Sequence, residues 1–181
     1  MNVFSLDCEF NQPSQKTIEI GAAAYKALTG ELIETFHTYV NPGEPISQTE
    51  ENNIIKLTGV TDELVKDAPK ILEAYLMLKE FRLKHKCFRN PIVWGSGERN
   101  DSSHLWHESG IQEENFMGYR VIDAKVLCQS QAIVQNKTIK GGLETYCNRF
   151  GIGFEGKPHG ALADAINTFR IWHFMVQKLK T

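Results

Sequence analysis

Asn2-Val3-Phe4-Ser5-Leu6-Asp7-Cys8-Glu9-Phe10 is an apolar run interrupted by two acids. The spacing predicts a strand over Asn2–Cys8. In an extended chain side chains alternate between faces, so Asp7 and Glu9 share one face, roughly 6–7 Å apart along the backbone, and Cys8 points to the other. Phe4, Leu6, Cys8 and Phe10 give the segment the apolar character of a central strand rather than an edge. Two carboxylates there are expensive to bury without a cation. Their spacing suits a pair of divalent ions about 3.5–4 Å apart, one acid bridging both. A solvated acidic face is the plainer reading of an isolated Asp-x-Glu, and only the rest of the chain decides between them.

Working outward, Thr17–Tyr25 and Glu31–Val40 are similar runs separated by a Thr29-Gly30 turn, which suggests three strands in antiparallel succession. After Asn41-Pro42-Gly43 the pattern turns helical around Glu50–Leu57. A longer helix is predicted over Lys70–Lys84, where Ile71, Leu72, Tyr75, Leu76, Leu78 and Phe81 recur at helical spacing. Pro91-Ile92-Val93-Trp94 reads as a short buried strand ending in Gly95-Ser96-Gly97, with a helix starting near Asp101. A second short strand is predicted at Tyr119–Ile122. Helices follow at Ala124–Ile133, Gly142–Phe150 and, amphipathic and long, Ala161–Leu179. A meander of strands followed by alternating strands and helices gives an α/β fold: a mixed sheet, antiparallel first and then parallel, with helices on its faces. At 181 residues the chain is read as one domain, 1–181, large enough to bury its own core.

Composition narrows the class. The chain is 41% hydrophobic and 23% charged, with a formal net charge of −2, which argues against gripping long duplexes by neutralising many phosphates. A site that holds a few nucleotides through metal ions needs little net positive charge. No apolar run is long enough to cross a bilayer, and the first residues lack the pattern of a signal peptide, so the expected location is cytoplasmic with no membrane partner. Cys8, Cys87, Cys128 and Cys147 are scattered singly and suit reduced, buried thiols.

Two further segments carry candidate chemistry. Trp94-Gly95-Ser96-Gly97-Glu98-Arg99-Asn100-Asp101 places an acid at a helix start just beyond a strand end. Pro158-His159-Gly160-Ala161-Leu162-Ala163-Asp164 pairs a histidine with an acid five residues on. In continuous helix those two would be rotated about 140° apart, so His159 is expected on a loop before the helix, with Asp164 one turn inside it. His104-x₂-His107 lacks a third ligand at suitable spacing and is read as exposed. Arg82, Lys84, His85, Lys86 and Arg89 form a basic run read as a solvated helix end.

An acid pair on the first strand, an acid after a mid-chain Trp-Gly strand end, and a histidine with an acid opening the last helix together resemble the DEDDh group of the DnaQ-like 3′-to-5′ exonucleases. Ile18-Glu19-Ile20-Gly21-Ala22 looks like that family's second strand, and Leu57-Thr58-Gly59-Val60 like its substrate-pocket element. Phe10-Asn11-Gln12 and Gly160 depart from the residues frequent there. The resemblance implies an RNase H-like fold and a catalytic set of Asp7, Glu9, Asp101, Asp164 and His159. Asp7, Glu9 and Asp164 would hold one metal ion, and Asp7 with Asp101 a second, Mg²⁺ with Mn²⁺ as substitute, because oxygen ligands favour hard cations. His159 would act as general base. Phe10, Leu57, Thr58 and Lys157 are the candidate contacts to substrate, a single-stranded nucleic acid with a free 3′ end. Two rival readings share the residues: a non-catalytic nucleic-acid-binding module, and a phosphoesterase acting on small nucleotides. RNA against DNA, and the oligomeric state, a homodimer included, are left open.

Overall fold

In the computed structural model, residues 1–95 and 100–179 are described. Gly97 of the predicted turn lies outside them. The first strand, β1 (Asn2–Phe10), is followed by β2 (Thr17–Lys26) and β3 (Leu32–Tyr39). These pair antiparallel, Asp7 opposite Gly21 and Glu9 opposite Glu19, with a register shift between Glu9 and Phe10. Two short helices come next, α1 (Ile54–Thr58) and α2 (Asp62–Val65), then the longer α3 (Ile71–Lys84). The chain returns through β4 (Ile92–Val93), α4 (Asp101–Ser109) and β5 (Ile122–Asp123), and closes with α5 (Ala124–Val134), α6 (Leu143–Arg149) and α7 (Ala161–Lys178). The sheet order is β3-β2-β1-β4-β5, with β4 and β5 parallel to their neighbours. The expected mixed sheet is thus present, and β1 is its centre.

The alternation along β1 divides the core. Phe4, Leu6 and Cys8 pack with Ile20, Ala22 and Ala24 against Tyr75, Leu78 and Phe81 of α3 and Leu105 of α4. Val3, Ala23 and Tyr25 face the other way, against Cys128, Tyr146, Phe169, Ile171 and Met175 of α5, α6 and α7. Nearly all of β2 is buried, as expected of a strand covered on both faces. Tyr25 stacks on Phe169 with ring centroids 3.6 Å apart, tying α7 to β2. Such ring pairs contribute roughly 0.5–1.5 kcal/mol beyond their burial. A Cβ built on Gly21 would come within 2.2 Å of the Ala161 carbonyl carbon, so the helix backbone lies directly on the strand.

Two element boundaries and one short helix depart most from the sequence reading, each for a local reason. The strand predicted over Tyr119–Ile122 is confined to Ile122–Asp123. Its earlier carbonyls are taken by a side chain, Asn90 Nδ2 donating to Arg120 O at 2.7 Å and to Met117 O at 3.4 Å. The helix expected over Glu50–Leu57 begins only at Ile54, because Asn53 Oδ1 caps it through the Lys56 N–H. Immediately before it, Ser47 Oγ donates to Asn52 O and Thr49 Oγ1 accepts from Asn52 N, holding the chain in a turn. Helix α2 was not anticipated, since four residues are too few to show a period.

Candidate active site

Asp7 and Glu9 stand on the same face of β1, at its carboxyl end, and the irregularity after Glu9 ends the regular pairing there. Bulges recur beside active sites, where they re-aim a side chain. Asp101 is the first residue of α4, whose start is fixed by Asn100 Oδ1 accepting from Ser103 N at 3.0 Å. Asp164 lies in the first turn of α7, and Asp164 N donates to Gly160 O at 2.9 Å. His159 precedes that helix with φ 60°, a left-handed backbone that side-chain-bearing residues adopt sparingly. The loop placement expected for it is what the structure shows.

These residues converge. Glu9, His159 and Asp164 each offer a ligand atom, all lying within 4.8 Å of one another. Asp164 Oδ1 is buried and has no hydrogen-bond partner among the described residues. Burial raises the Asp7 carboxyl well above its ordinary range, and the nearby Asp101, Asp164 and Glu9 raise it further. Burial, with Asp164, Glu19 and Asp101 adding repulsion, pushes Glu9 up to about 8, against which the Lys157 ammonium acts. Burial also pushes Asp101 to about 7, partly offset by His104 and by a bond from the Cys8 backbone. Asp164 is pushed to about 6, again chiefly by burial, with His159 working the other way. A cluster of oxygen donors that repel one another, one of them an orphaned buried oxygen, fits a hard divalent cation.

The four candidate substrate contacts differ in their surroundings. Phe10 is half-buried and meets the His104 ring edge-on, centroids 4.6 Å apart. Leu57 is 45% exposed at the end of α1 and free to meet a ligand. Thr58 is buried, and its hydroxyl is engaged inside the chain, donating to Ile54 O at 2.9 Å and accepting from Val60 N at 3.0 Å. Lys157 Nζ donates to Thr58 O at 3.1 Å, which ties the end of α1 to the loop carrying His159.

Several residues near the cluster were not read from the sequence. His104 was expected to be exposed; its side chain is only 15% exposed, one turn beyond Asp101, with Nε2 3.4 Å from Glu108 Oε2. His107 is exposed as expected. Glu108 in turn accepts from Thr17 N at 3.1 Å and from Thr17 Oγ1 at 2.5 Å, so α4 is fastened to the start of β2. Burial raises Glu108, but the His104 and Thr17 contacts outweigh it and leave the carboxyl below its ordinary value. Glu19 is buried beside the cluster, Oε1 2.6 Å from His37 Nε2 and Oε2 accepting from Ala161 N at 3.3 Å. The signal for Glu19 was available: a single acid among Thr17, Ile18 and Ile20 in a strand otherwise suited to complete burial.

Solved structures share this architecture. Cell-death related nuclease 4 (CRN-4) superposes with a TM-score of 0.79 at 14% identity, covering 98% of this chain and 64% of that one. The nuclease domain of 3′hExo, described as a DEDDh family member bound to rAMP, gives 0.75 at 19% identity, covering 98% and 92%. At such identities the likeness speaks for the fold, which is RNase H-like. In sequence, the chain is 42% identical over 167 residues to a DNA polymerase III PolC-type of Staphylococcus epidermidis, and 40% identical over 162 residues to that of Oceanobacillus iheyensis. The matches cover 91% and 88% of this chain but only 10% of the length of either relative. The family model for RNase T, described as exonuclease, matches residues 4–172, and with these relatives it shows that the chain belongs to the DnaQ-like exonuclease family.

Proposed function

We propose that the chain is a metal-dependent 3′-to-5′ exonuclease that removes nucleoside 5′-monophosphates from the 3′ end of single-stranded nucleic acid, with 1–181 acting as a single exonuclease domain in the cytoplasm. The observation that carries this reading is the convergence of Glu9, His159 and Asp164, drawn from two distant parts of the chain, to within 4.8 Å. Asp7, Glu9 and Asp164 would hold one Mg²⁺ ion and Asp7 with Asp101 a second, Mn²⁺ substituting. Bound there, a cation pair supplies activation of water and stabilisation of the departing 3′ oxygen.

The remaining work belongs to the chain's own side chains. His159, exposed on its loop beside Glu9 and Asp164, takes the proton of the attacking water as general base. The Lys157 ammonium has three donors, one of them on Thr58 O, and the others serve a substrate phosphate. Leu57 and the backbone of Thr58 shape the pocket for the terminal nucleotide, and Phe10 offers a ring to the neighbouring base.

The test is product analysis with matched end-labelled single-stranded RNA and DNA in Mg²⁺ or Mn²⁺. A ladder shortening from the 3′ end, with release of 5′-monophosphates, is the expected result. Binding without cleavage in either metal would favour a binding module, and hydrolysis confined to mono- or dinucleotides would favour a small-nucleotide phosphoesterase.

A further inference from the structure

Helix α7 carries Asp164 and follows directly on the loop that carries His159, yet among the described residues its amino end has no side-chain cap from its capping position. Gly160 occupies the capping position and brings no side chain. The first backbone N–H groups of any helix lack intrahelical partners, and a carboxylate near them also meets the favourable end of the helix dipole. Here the partner comes from 142 positions away in the sequence: Glu19 Oε2 accepts from Ala161 N. The other oxygen, Oε1, is held at 2.6 Å by His37 Nε2 of β3. With both oxygens engaged and the side chain buried, the carboxylate has one orientation.

Two further features show that this contact is built rather than incidental. Glu19 stands directly opposite Glu9 across β1 and β2, an arrangement of like charges that destabilises a sheet unless something else compensates. Two residues along β2, Gly21 leaves room for the Ala161 backbone, so strand and helix touch at successive same-face positions. His159 meanwhile holds its left-handed backbone two residues before the clamped Ala161, and conformations of that kind persist where the surroundings over-determine them.

We propose that Glu19, backed by His37, is a positioning residue that seats the amino end of α7 and so sets where His159 and Asp164 stand relative to Glu9. It is not itself one of the converging ligand groups. The inference rests on the exonuclease reading for its consequence in catalysis, but the clamp itself can be measured without substrate.

Three variants decide it, Glu19→Ala, Glu19→Gln and His37→Phe, each checked for folding by thermal melting. In metal-free protein, hydrogen–deuterium exchange across residues 157–165 should quicken in Glu19→Ala by roughly 5- to 10-fold, as for loss of a helix cap, while the rest of α7 exchanges as before. At saturating Mn²⁺ and substrate, single-turnover cleavage by Glu19→Ala should fall by about 10- to 100-fold with little change in KM, as expected of misplaced reacting groups. Glu19→Gln keeps an acceptor of the same reach and should recover most of both losses. His37→Phe frees the carboxylate and should fall between. Wild-type exchange and cleavage in Glu19→Ala would overturn the proposal, as would Glu19→Gln failing as badly as Glu19→Ala. If Glu19→Ala does not fold, wild-type behaviour of His37→Phe in both assays overturns it. Should the wild type itself not cleave, the exonuclease reading fails while the exchange measurement still decides the clamp.

Discussion

Helices α4 and α7 each deliver an acid to the cluster, and their starts are made in opposite ways. Asn100 caps α4 from the adjacent position, its side chain on Ser103 N, and Glu108 near the far end fastens the helix to β2. Helix α7 begins at a glycine, and its first N–H is answered by Glu19 on a strand at the other end of the chain. One acid is therefore placed by local sequence and the other by tertiary structure. The histidine travels with the second, so the placement of the proposed general base depends on the sheet being assembled.

The largest effect should come from removing an acid on either arm. Asp7→Ala, Asp101→Ala and Asp164→Ala are each expected to drop cleavage to background in end-labelled substrate assays; Asp101→Ala at wild-type rate would remove α4 from the site and collapse the comparison. The same acids should make stability depend on pH. Folded Asp164, Asp101 and Glu9 lose protons near 6, 7 and 8 instead of at their ordinary 3.8, 3.8 and 4.5, so between about pH 4 and pH 8 the folded chain holds more protons than the unfolded one. Metal-free protein should be most stable at the acid end of that window and lose stability steadily up to about pH 8. Added Mg²⁺ should oppose the loss, and Asp7→Ala should raise the metal-free melting temperature at pH 8. A metal-free melting temperature that climbs with pH over this range would contradict the mutual repulsion of the cluster.

Next comes the histidine, which the loop before α7 brings to the converging atoms and the α4 arm does not. General bases contribute about 10²–10⁴-fold, so His159→Ala should lower single-turnover cleavage by that order while Mn²⁺ titration stays near wild type. Loss of Mn²⁺ affinity matching that of Asp164→Ala would make His159 a ligand instead. His104→Ala, on the α4 arm, should cost far less in the same assay.

A smaller effect is expected at Phe10, which lies against α4 through His104. Stacking on an aromatic ring contributes about 1–3 kcal/mol per base, so Phe10→Ala should raise KM roughly 5- to 150-fold and leave kcat nearly unchanged. An unaltered KM would assign the ring to core packing alone. The smallest effect should be Asn100→Ala, which removes the local cap of α4 and should lower the unfolding free energy by about 1 kcal/mol in denaturant titration, with Glu108 still holding the helix to β2. A much larger loss of cleavage would mean that α4 is as fragile as α7.

What could be read from the sequence follows the same division. The β1 acids were legible because strand alternation is strict, and the loop position of His159 because helical geometry forbids the alternative. The beginning of α4 could be placed near Asp101 because its cap lies next to it. Glu19 was noticed only as part of a family-like strand, since nothing near it announces a helix over a hundred residues away. The burial of His104 was not legible because its position in the helix gives no sign of which neighbour will cover it; Phe10 and Glu108 do so here. The short strand at Ile122 was placed too early because a side chain, Asn90, competes for the backbone of the preceding residues, and no pattern of hydrophobicity records that competition.

The split core carries a mechanical consequence. Helix α4 is rooted through Leu105 in the layer on one side of the sheet, and α7 through Phe169 and Ile171 in the layer on the other. The cluster is thus the place where the two layers meet around the end of β1. A small tilt of one layer relative to the other would leave each internally intact and yet part Asp101 from Asp164. The site works as a gauge of alignment between two slabs, and the central strand is its fulcrum.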